Sequence, residues 1–294
     1  MVYSKKQCLI SLMKSNCMND SLRKIYALSN SCSHLNIMPS GKNFLPVTFL
    51  FLLTIFFSAS IVSAQTHQVF MKQGNIFYQQ FDNLEALISY KKALEILPGN
   101  FECQTKVIRA YNDVGEDLSS KDSEPYYEKA VQQAEELQKK FPQKAESYYW
   151  LAVSYGNLAL LRGSKEKVKL SCFVEKNVQK AIALNPNYAD AYVVLGIYYK
   201  EVAGLNSFLK TFARIFFGDL PEGTYDDALR AFHKAIALRT TQPVYTYFLL
   251  GHTYEEMDQP DKAKEAYKQA ALLPNTDHRD HAMKEKVRRR LQAL

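Results

Sequence analysis

Residues 70–98 read FMKQGNIFYQQFDNLEALISYKKALEILP, and the spacing of residue types within this stretch decides the fold. A large aromatic residue comes first, a small residue stands four positions later, and a second aromatic residue follows three positions after that. Beyond the small residue come an alanine, an aromatic residue, a second alanine and a proline, at steps of twelve, four, three and five. The residues at these positions are Phe70, Gly74, Phe77, Ala86, Tyr90, Ala93 and Pro98.

This spacing predicts two helices that pack against each other as a hairpin. The aromatic residues recur at helical intervals, which places them on one buried face. The small residue and the two alanines allow close approach of the two helices, and larger side chains there would push them apart. Proline ends the second helix because it has no N–H group to continue the hydrogen-bond ladder.

The pattern recurs four more times along the chain. Pro98, Pro142 and Pro186 are 44 residues apart, ten more than the roughly 34-residue period of helical-hairpin repeats. We expect the extra residues to lengthen the loop between the two helices. The matching residues are Tyr111, Ala130, Ala134 and Pro142 in the second copy, Tyr148, Leu151, Ala152, Tyr155, Ala181 and Pro186 in the third, Tyr192, Leu195, Gly196, Tyr199, Ala228, Phe232 and Ala235 in the fourth, and Tyr247, Leu250, Gly251, Tyr254, Ala263, Tyr267, Ala270 and Pro274 in the fifth.

The repeats predict an all-α fold: a superhelix of about five helical hairpins over residues 65–294. A single hairpin cannot bury its own apolar face, so neighbouring copies must stack. The fourth copy contains an insert at 202–223, and a final charged helix over about 277–294 is expected to cap the open end of the stack.

Composition limits the classes of function. The chain has 294 residues, of which 47% are hydrophobic, and only 11 Gly and 10 Pro, which is typical of a globular protein. Its formal net charge of +7 is concentrated in residues 1–64, where six Lys/Arg face Asp20 alone. The near-neutral remainder gives no reason to predict nucleic-acid binding.

The N-terminal 64 residues have the features of a targeting segment. After Met38 comes a short basic stretch, then an apolar run over 44–62, and the segment ends in Val62-Ser63-Ala64 before Gln65. This order predicts a signal peptide over 38–64 and an exported protein, periplasmic or secreted, or a membrane-anchored one if the apolar run is not cleaved. Residues 1–37 are interpreted either as the product of a start codon assigned too early or as an organelle presequence.

The repeat residues resemble the tetratricopeptide-repeat superfamily over about residues 66–275. The stretch from residue 148 to 274 resembles more closely the helical domain of the regulator of microtubule dynamics proteins. That resemblance is carried by the helical insert at 205–217, by Leu220-Pro221, and by the helix start at 226–229. The pattern is also similar to the periplasmic T-component of tripartite transporters.

The resemblance implies a binding fold and, for the animal members of the family, association with microtubules, membranes or phospholipid. The predicted signal peptide does not suit that setting, since an exported protein meets no microtubule. The sequence alone therefore favours shared ancestry over shared function.

No catalytic motif is present, so neither an enzyme nor a cofactor is predicted. His278 and His281 share a helix face, but no third ligand completes a metal site, and we interpret them as a solvated helix start. His233 and His252 are interpreted as packed or solvated. Cys103 and Cys172 are either small helix residues or a disulfide, and their spacing does not decide between the two.

The expected binding surface is the groove lined by the first helices of the repeats. Residues that point into it by helical periodicity are the candidate site. The mixture of amide, aromatic and aliphatic groups suits a peptide or an apolar ligand, although some of these residues can equally serve to pack the insert. They are Asn75, Arg109, Asn112, Tyr149, Val153, Asn157, Val193, Ile197 and Lys200.

The insert carries one continuous apolar stripe at helical spacing, which will not remain in water. It can fold into the chain's own groove, meet a membrane interface or meet a partner chain. The whole sequence predicts a non-enzymatic scaffold that holds a protein partner or peptide, with a carrier of a lipid or other hydrophobic ligand as the alternative and a homo-oligomer left open. The stripe consists of Leu205, Phe208, Leu209, Phe212, Ile215 and Phe216.

Overall fold

Helices and short connections make up the part of the chain that the computed structural model describes, residues 65–217, 223–276 and 279–294, and no strand occurs within those ranges. The helices in chain order are α1 (65–79), α2 (Asn83–Ile96), α3 (Phe101–Asp117), α4 (Ser120–Lys140), α5 (Ala145–Leu161), α6 (Ser164–Leu184), α7 (Ala189–Ala203), α8 (Ser207–Phe217), α9 (Tyr225–Ala237), α10 (Pro243–Glu256), α11 (Pro260–Leu272) and α12 (Arg279–Ala293).

The helices form five hairpins, as the repeats predict. The first hairpin, α1 with α2, is joined by one apolar cluster. The pairs α3–α4, α5–α6, α7–α9 and α10–α11 then follow along the chain, and each hairpin also contacts the next. The prediction of an all-α tetratricopeptide-repeat superhelix is confirmed.

Close approach within a hairpin depends on the small residue that marks the repeat. A Cβ atom added at Gly74 would lie 2.5 Å from the Tyr90 ring, and one at Gly251 would lie 2.5 Å from the Tyr267 ring. The second hairpin keeps this arrangement, because a Cβ atom added at Gly115 of α3 would collide with the Tyr127 ring of α4. Its two helices therefore approach each other in the same way as those of the first and fifth hairpins.

The ten extra residues of the second and third repeats lie in helices, and the prediction of longer loops is wrong for both. In each repeat the first helix has 17 residues and the second has 21. Only residues 118–119 and 162–163 separate the two helices. The added turns bury apolar surface of their own, including a cluster of Tyr127, Leu158 and Leu170.

The last helix closes the stack, which confirms the predicted cap. Helix α12 packs on α10 and α11. Its Val287 is fully buried in a cluster with Ala263, Tyr267 and Ala270 of α11. The charged residues of α12 cover the remainder of this end, since Arg288 and Arg290 are largely exposed.

The predicted leader at 1–64 and His278 lie outside the described residues. Within the described residues, no helix has the length and hydropathy needed to cross a membrane.

Candidate functional site

The first helices of the later repeats surround a cavity of about 510 Å³. Helices α3, α5, α7 and α10 supply most of its wall, the first half of α6 adds Lys167, Ser171 and Val174, and the segment that enters α12 adds Thr276 and Arg279. A volume of this size is typical of sites that take a small molecule or a few side chains. The cavity is therefore the candidate binding site.

Aromatic rings form a large part of the wall. The Tyr149 ring lies 4.8 Å from the Tyr188 ring and 5.0 Å from that of Trp150. Burial raises the pKa of both tyrosine hydroxyls far above the ordinary value, so both remain neutral at physiological pH. Together with Val193, which is buried, and Ile197, which is half-buried, they give the wall an apolar surface.

The amide side chains in the wall are bonded to each other. Asn112 donates from Nδ2 to Ser154 Oγ at 3.0 Å and to the Ile108 carbonyl oxygen at 2.9 Å. Asn157 Nδ2 donates to Asn112 Oδ1 at 3.0 Å. Because the bonds of Asn112 with Ser154 and Asn157 cross from α3 to α5, the amides fix the wall of the cavity in place.

Charged groups in the wall are paired across helices. Lys167 Nζ of α6 lies 2.6 Å from Glu201 Oε2 of α7. Asp190, at the start of α7, accepts from Thr240 Oγ1 at 2.6 Å and from Thr241 N at 2.8 Å, which ties α7 to the connection before α10.

Arg279 joins distant parts of the chain, because it pairs with two carboxylates of α3. Arg279 Nη1, in the first turn of α12, lies 3.4 Å from Asp113 Oδ1 and also contacts Glu116 Oε2. Burial raises the pKa of the nearby Tyr245 to about 12, and the charges of Glu116 and Glu201 add to that rise. These ion pairs place opposite charges beside the aromatic surface.

Most of the groove residues predicted from the sequence line this cavity. Asn75 does not, because it accepts hydrogen bonds from Tyr90 at 2.9 Å and Lys106 at 3.1 Å within the first repeats. Lys200 is also not among the described lining residues and lies 4.0 Å from Glu201. The predicted residues that do line the cavity are Arg109, Asn112, Tyr149, Val153, Asn157, Val193 and Ile197.

Several lining residues were missed because they do not stand on the first helices. Lys167 and Ser171 come from α6, Tyr188 immediately precedes α7, and Arg279 comes from the capping helix. Periodicity along the first helices carries no signal for them. Only the prediction that α12 folds back on the stack points towards Arg279.

The insert forms helix α8, which packs against α6. Leu205 and Leu209 are half-buried, and Ile215 is 70% exposed. None of these three side chains lines the cavity. These three residues of the stripe therefore lie outside the cavity wall.

Other candidate groups from the sequence do not form a site in the described residues. Cys103 and Cys172 are both free thiols. His281 is exposed, and no group of three or more potential metal ligands occurs in the part of the chain that the structure describes. Burial lowers the pKa of His252, which is half-buried beside Glu256.

Stacked helical hairpins that repeat the same small and aromatic contacts define a tetratricopeptide-repeat protein. The chain belongs to the family described as regulator of microtubule dynamics protein 1–3, whose model matches residues 70–294. The resemblance seen in the sequence is thereby confirmed.

Curated relatives agree with this family assignment, and a solved structure agrees with the fold. Regulator of microtubule dynamics protein 3 of Xenopus laevis is 27% identical over 206 residues, 69% of this chain and 43% of the relative. Protein 1 of Mus musculus is 28% identical over 178 residues, 59% of this chain and 56% of the relative. The chain thus spans about half the length of these relatives. A thermophilic TPR protein of Thermus thermophilus shares the fold with a TM-score of 0.58 at 18% identity, covering 77% of this chain and 99% of its own.

The prediction of an exported protein, periplasmic or secreted, is wrong. The family and its curated members from frog and mouse are eukaryotic regulators of microtubule dynamics, which are not periplasmic proteins. The apolar run at 44–62 is a short local pattern, and it is a weaker guide to localisation than a family match over residues 70–294.

Proposed function

We propose that this chain is a non-catalytic binding protein whose cavity holds a segment of a partner protein. The observation that carries the proposal is the aromatic and aliphatic cavity of about 510 Å³ inside a tetratricopeptide-repeat stack. Repeat stacks present extended concave surfaces, and an extended segment fits such a surface better than a globular partner does.

The wall suits apolar side chains. Tyr149 and Val193 are 5% and 3% exposed, which shows that they are held by packing before any ligand enters. The bonds between Asn112, Ser154 and Asn157 hold α3 and α5 at a fixed spacing. A cavity that is already formed loses less conformational entropy on binding, which favours affinity.

The alternative is a carrier of a lipid or other hydrophobic ligand. The same apolar wall favours it, because rings such as Tyr149 and Tyr188 pack against an acyl chain as readily as against a side chain. Native mass spectrometry of protein from its own source separates the two functions. A lipid retained in one-to-one ratio would support the carrier, whereas a peptide adduct would support the scaffold.

Trp150 gives a direct measure of occupancy. It is the single Trp of the chain and lines the cavity, so its fluorescence reports a ligand there. We would select seven-residue peptides from a random display library on the full chain and titrate the synthetic winners. We expect saturable changes in Trp150 emission.

A matched pair of substitutions tests the site. Ile197→Glu places a charge in the apolar wall and should weaken peptide binding at least tenfold, since the charge must lose water when a ligand enters. Ile76→Glu makes the same change at a position that is 53% exposed and outside the cavity, and should bind like the wild type. Equal binding by both variants at unchanged melting temperature would rule out the cavity as the peptide site.

A further inference from the structure

A pair of carboxylates at the edge of the cavity is bound by a guanidinium from the far end of the chain. Asp113 and Glu116 stand three residues apart on α3 and both line the cavity. Arg279 of α12 reaches both of them, with its Nη1 atom 3.4 Å from Asp113 Oδ1. A basic side chain therefore already occupies a defined place beside the aromatic wall.

Asp113 requires a cation at this place. Its side chain is 7% exposed, so its charge is largely removed from water. Removing the partner of a buried charge is strongly destabilising. Arg109 lies 3.9 Å away on the same helix, but its guanidinium also stacks 3.7 Å above the Tyr78 ring. The contact of Asp113 with Arg279 is thus shorter than its contact with Arg109.

The remaining charges of the wall do not compete for this place. Lys167 is paired with Glu201 at 2.6 Å, and Asp190 accepts hydrogen bonds from the connection before α10. Counted over the described lining residues, the wall has one more acidic than basic group. They are Asp113, Glu116, Asp190 and Glu201 against Arg109, Lys167 and Arg279.

We propose that the cavity selects a partner segment with a Lys or Arg beside apolar residues, and that this basic side chain replaces Arg279 against Asp113 and Glu116. The proposal rests on the proposed function of the cavity. Exchange of one cation for another keeps the buried carboxylate paired, so it costs little, whereas an acidic segment meets the acidic excess of the wall. Arg279 is 33% exposed and stands at the start of its helix, where it can be displaced.

Three synthetic peptides test the selectivity. They have blocked ends, the sequence Ser-Leu-Phe-Xaa-Leu-Phe-Ser, and Arg, Gln or Glu at Xaa, and each is titrated against Trp150 emission of the full chain. We expect the Arg peptide to bind at least tenfold more tightly than the Glu peptide, with Gln between them. The difference should shrink as salt is added, because screening weakens the ion pair.

Substitutions test whether the carboxylates of Asp113 and Glu116 cause the preference for the Arg peptide. Glu116→Gln should reduce the preference for Arg over Gln several-fold, and Glu116 is exposed enough for the fold to tolerate the change. Arg279→Ala should lower the melting temperature, because Asp113 loses one of its cations, and should bind the Arg peptide several-fold more tightly, because the internal competitor is gone. Arg288→Ala, an exposed change on the same helix, should alter nothing.

The outcomes separate the two proposals. Equal binding of the three peptides, or a preference for Glu, overturns the basic-segment inference and leaves the scaffold function standing. If neither these three peptides nor the peptides selected from the library bind, the scaffold function itself is contradicted. A preference for Arg that survives in Glu116→Gln and is unaltered in Arg279→Ala places the recognition elsewhere and overturns the inference.

Discussion

Single residues decide how closely the helices of each repeat approach. Gly196 of α7 faces the Phe232 ring of α9, and a Cβ atom there would collide with that ring. Phe232 is fully buried, so it has no free space into which to move. Similar pairs occur at Gly74 with Tyr90 and at Gly251 with Tyr267, which is why the sequence pattern repeats a small residue and an aromatic residue at fixed spacing.

Gly196→Leu should lower the free energy of unfolding by about 1–3 kcal/mol or more, because overpacking forces the two helices apart. Thermal and denaturant melts followed by circular dichroism measure the loss. Gly99→Leu is the matched control, since Gly99 is exposed and nothing lies within 4 Å of an added Cβ atom. Adding Phe232→Ala to Gly196→Leu should recover part of the stability, and a double variant less stable than the sum of both singles would contradict the proposed collision.

Helical periodicity predicted part of the site on the first helices, where it missed Asp113 and Glu116 of α3, and it predicted no site residue elsewhere. Val153 and Ile197 line the cavity because they stand on first helices, whose inner face follows from the repeat. Lys167 and Tyr188 stand on a second helix and in a connection, for which the repeat gives no direction. Asn75 stands on a first helix, yet its bond to Tyr90 keeps it within the first hairpin.

At the scale of the elements, the sequence predicts the number and pairing of helices better than their lengths. A spacing of 44 residues between prolines is the same whether the added residues form a loop or extend the helices. Pro125 and the polar residues around it favour a loop, yet Pro125 lies within α4, near its start. As the sixth residue of α4, Pro125 cannot donate the usual hydrogen bond to the carbonyl oxygen four residues earlier, and the packing of α4 against α3 and α5 outweighs this loss.

A side-chain cap fixes the start of α9, the helix that follows the insert. Thr224 and Asp227 form a capping box, in which each side chain accepts from the other's backbone N–H. Thr224→Ala should cost about 0.5–2 kcal/mol of unfolding free energy, measured by chemical denaturation. Thr211→Ala, an exposed change in α8, is the control and should be neutral.

The same cap makes a pH-dependent contribution with a defined sign. Hydrogen bonds from Thr224 hold the pKa of Asp227 below its ordinary value of 3.8. A carboxylate whose pKa is lowered on folding stabilises the fold above the ordinary pKa, and this stabilisation is lost as the pH falls through the lowered value. The difference between wild type and Thr224→Ala should therefore shrink below about pH 4, and a difference that grows on acidification would contradict this role for the ionised carboxylate.

Helix α8 has one half-buried and one exposed apolar residue, so its role in the fold and its role at the surface can be tested separately. Leu209 is half-buried in a helix that packs on α6, so Leu209→Asp should lower the melting temperature. Ile215 is 70% exposed, and Ile215→Asp should melt like the wild type. Co-sedimentation with liposomes gives the second measurement. Loss of sedimentation in Ile215→Asp alone would assign the exposed stripe to a membrane surface, and equal melting of both variants would contradict the packing on α6.

At the scale of the whole molecule, ion pairs join the capping helix α12 to the second repeat, which is not its neighbour in the stack. Repeat proteins ordinarily couple each unit only to the next. Here Arg279 pairs with Asp113 and Glu116 of the second repeat, 166 and 163 residues away in sequence. No repeat pattern predicts this contact, because it depends on how far the superhelix turns before the capping helix begins.

Val287→Asp tests whether this contact couples the two ends. Val287 is fully buried against α11, so a charge there should detach α12 and lower the melting temperature. Coupling through neighbours alone predicts faster amide exchange in α10 and α11, which α12 covers. The ion pairs predict an additional rise in α3 at residues 109–117, on the second repeat, because Arg279 leaves with α12. Hydrogen exchange with mass spectrometry resolves these segments, and the exposed substitution Gln292→Asp is the control. Exchange that rises only in α10 and α11 would show that the ion pairs with Asp113 and Glu116 do not join the ends of the stack.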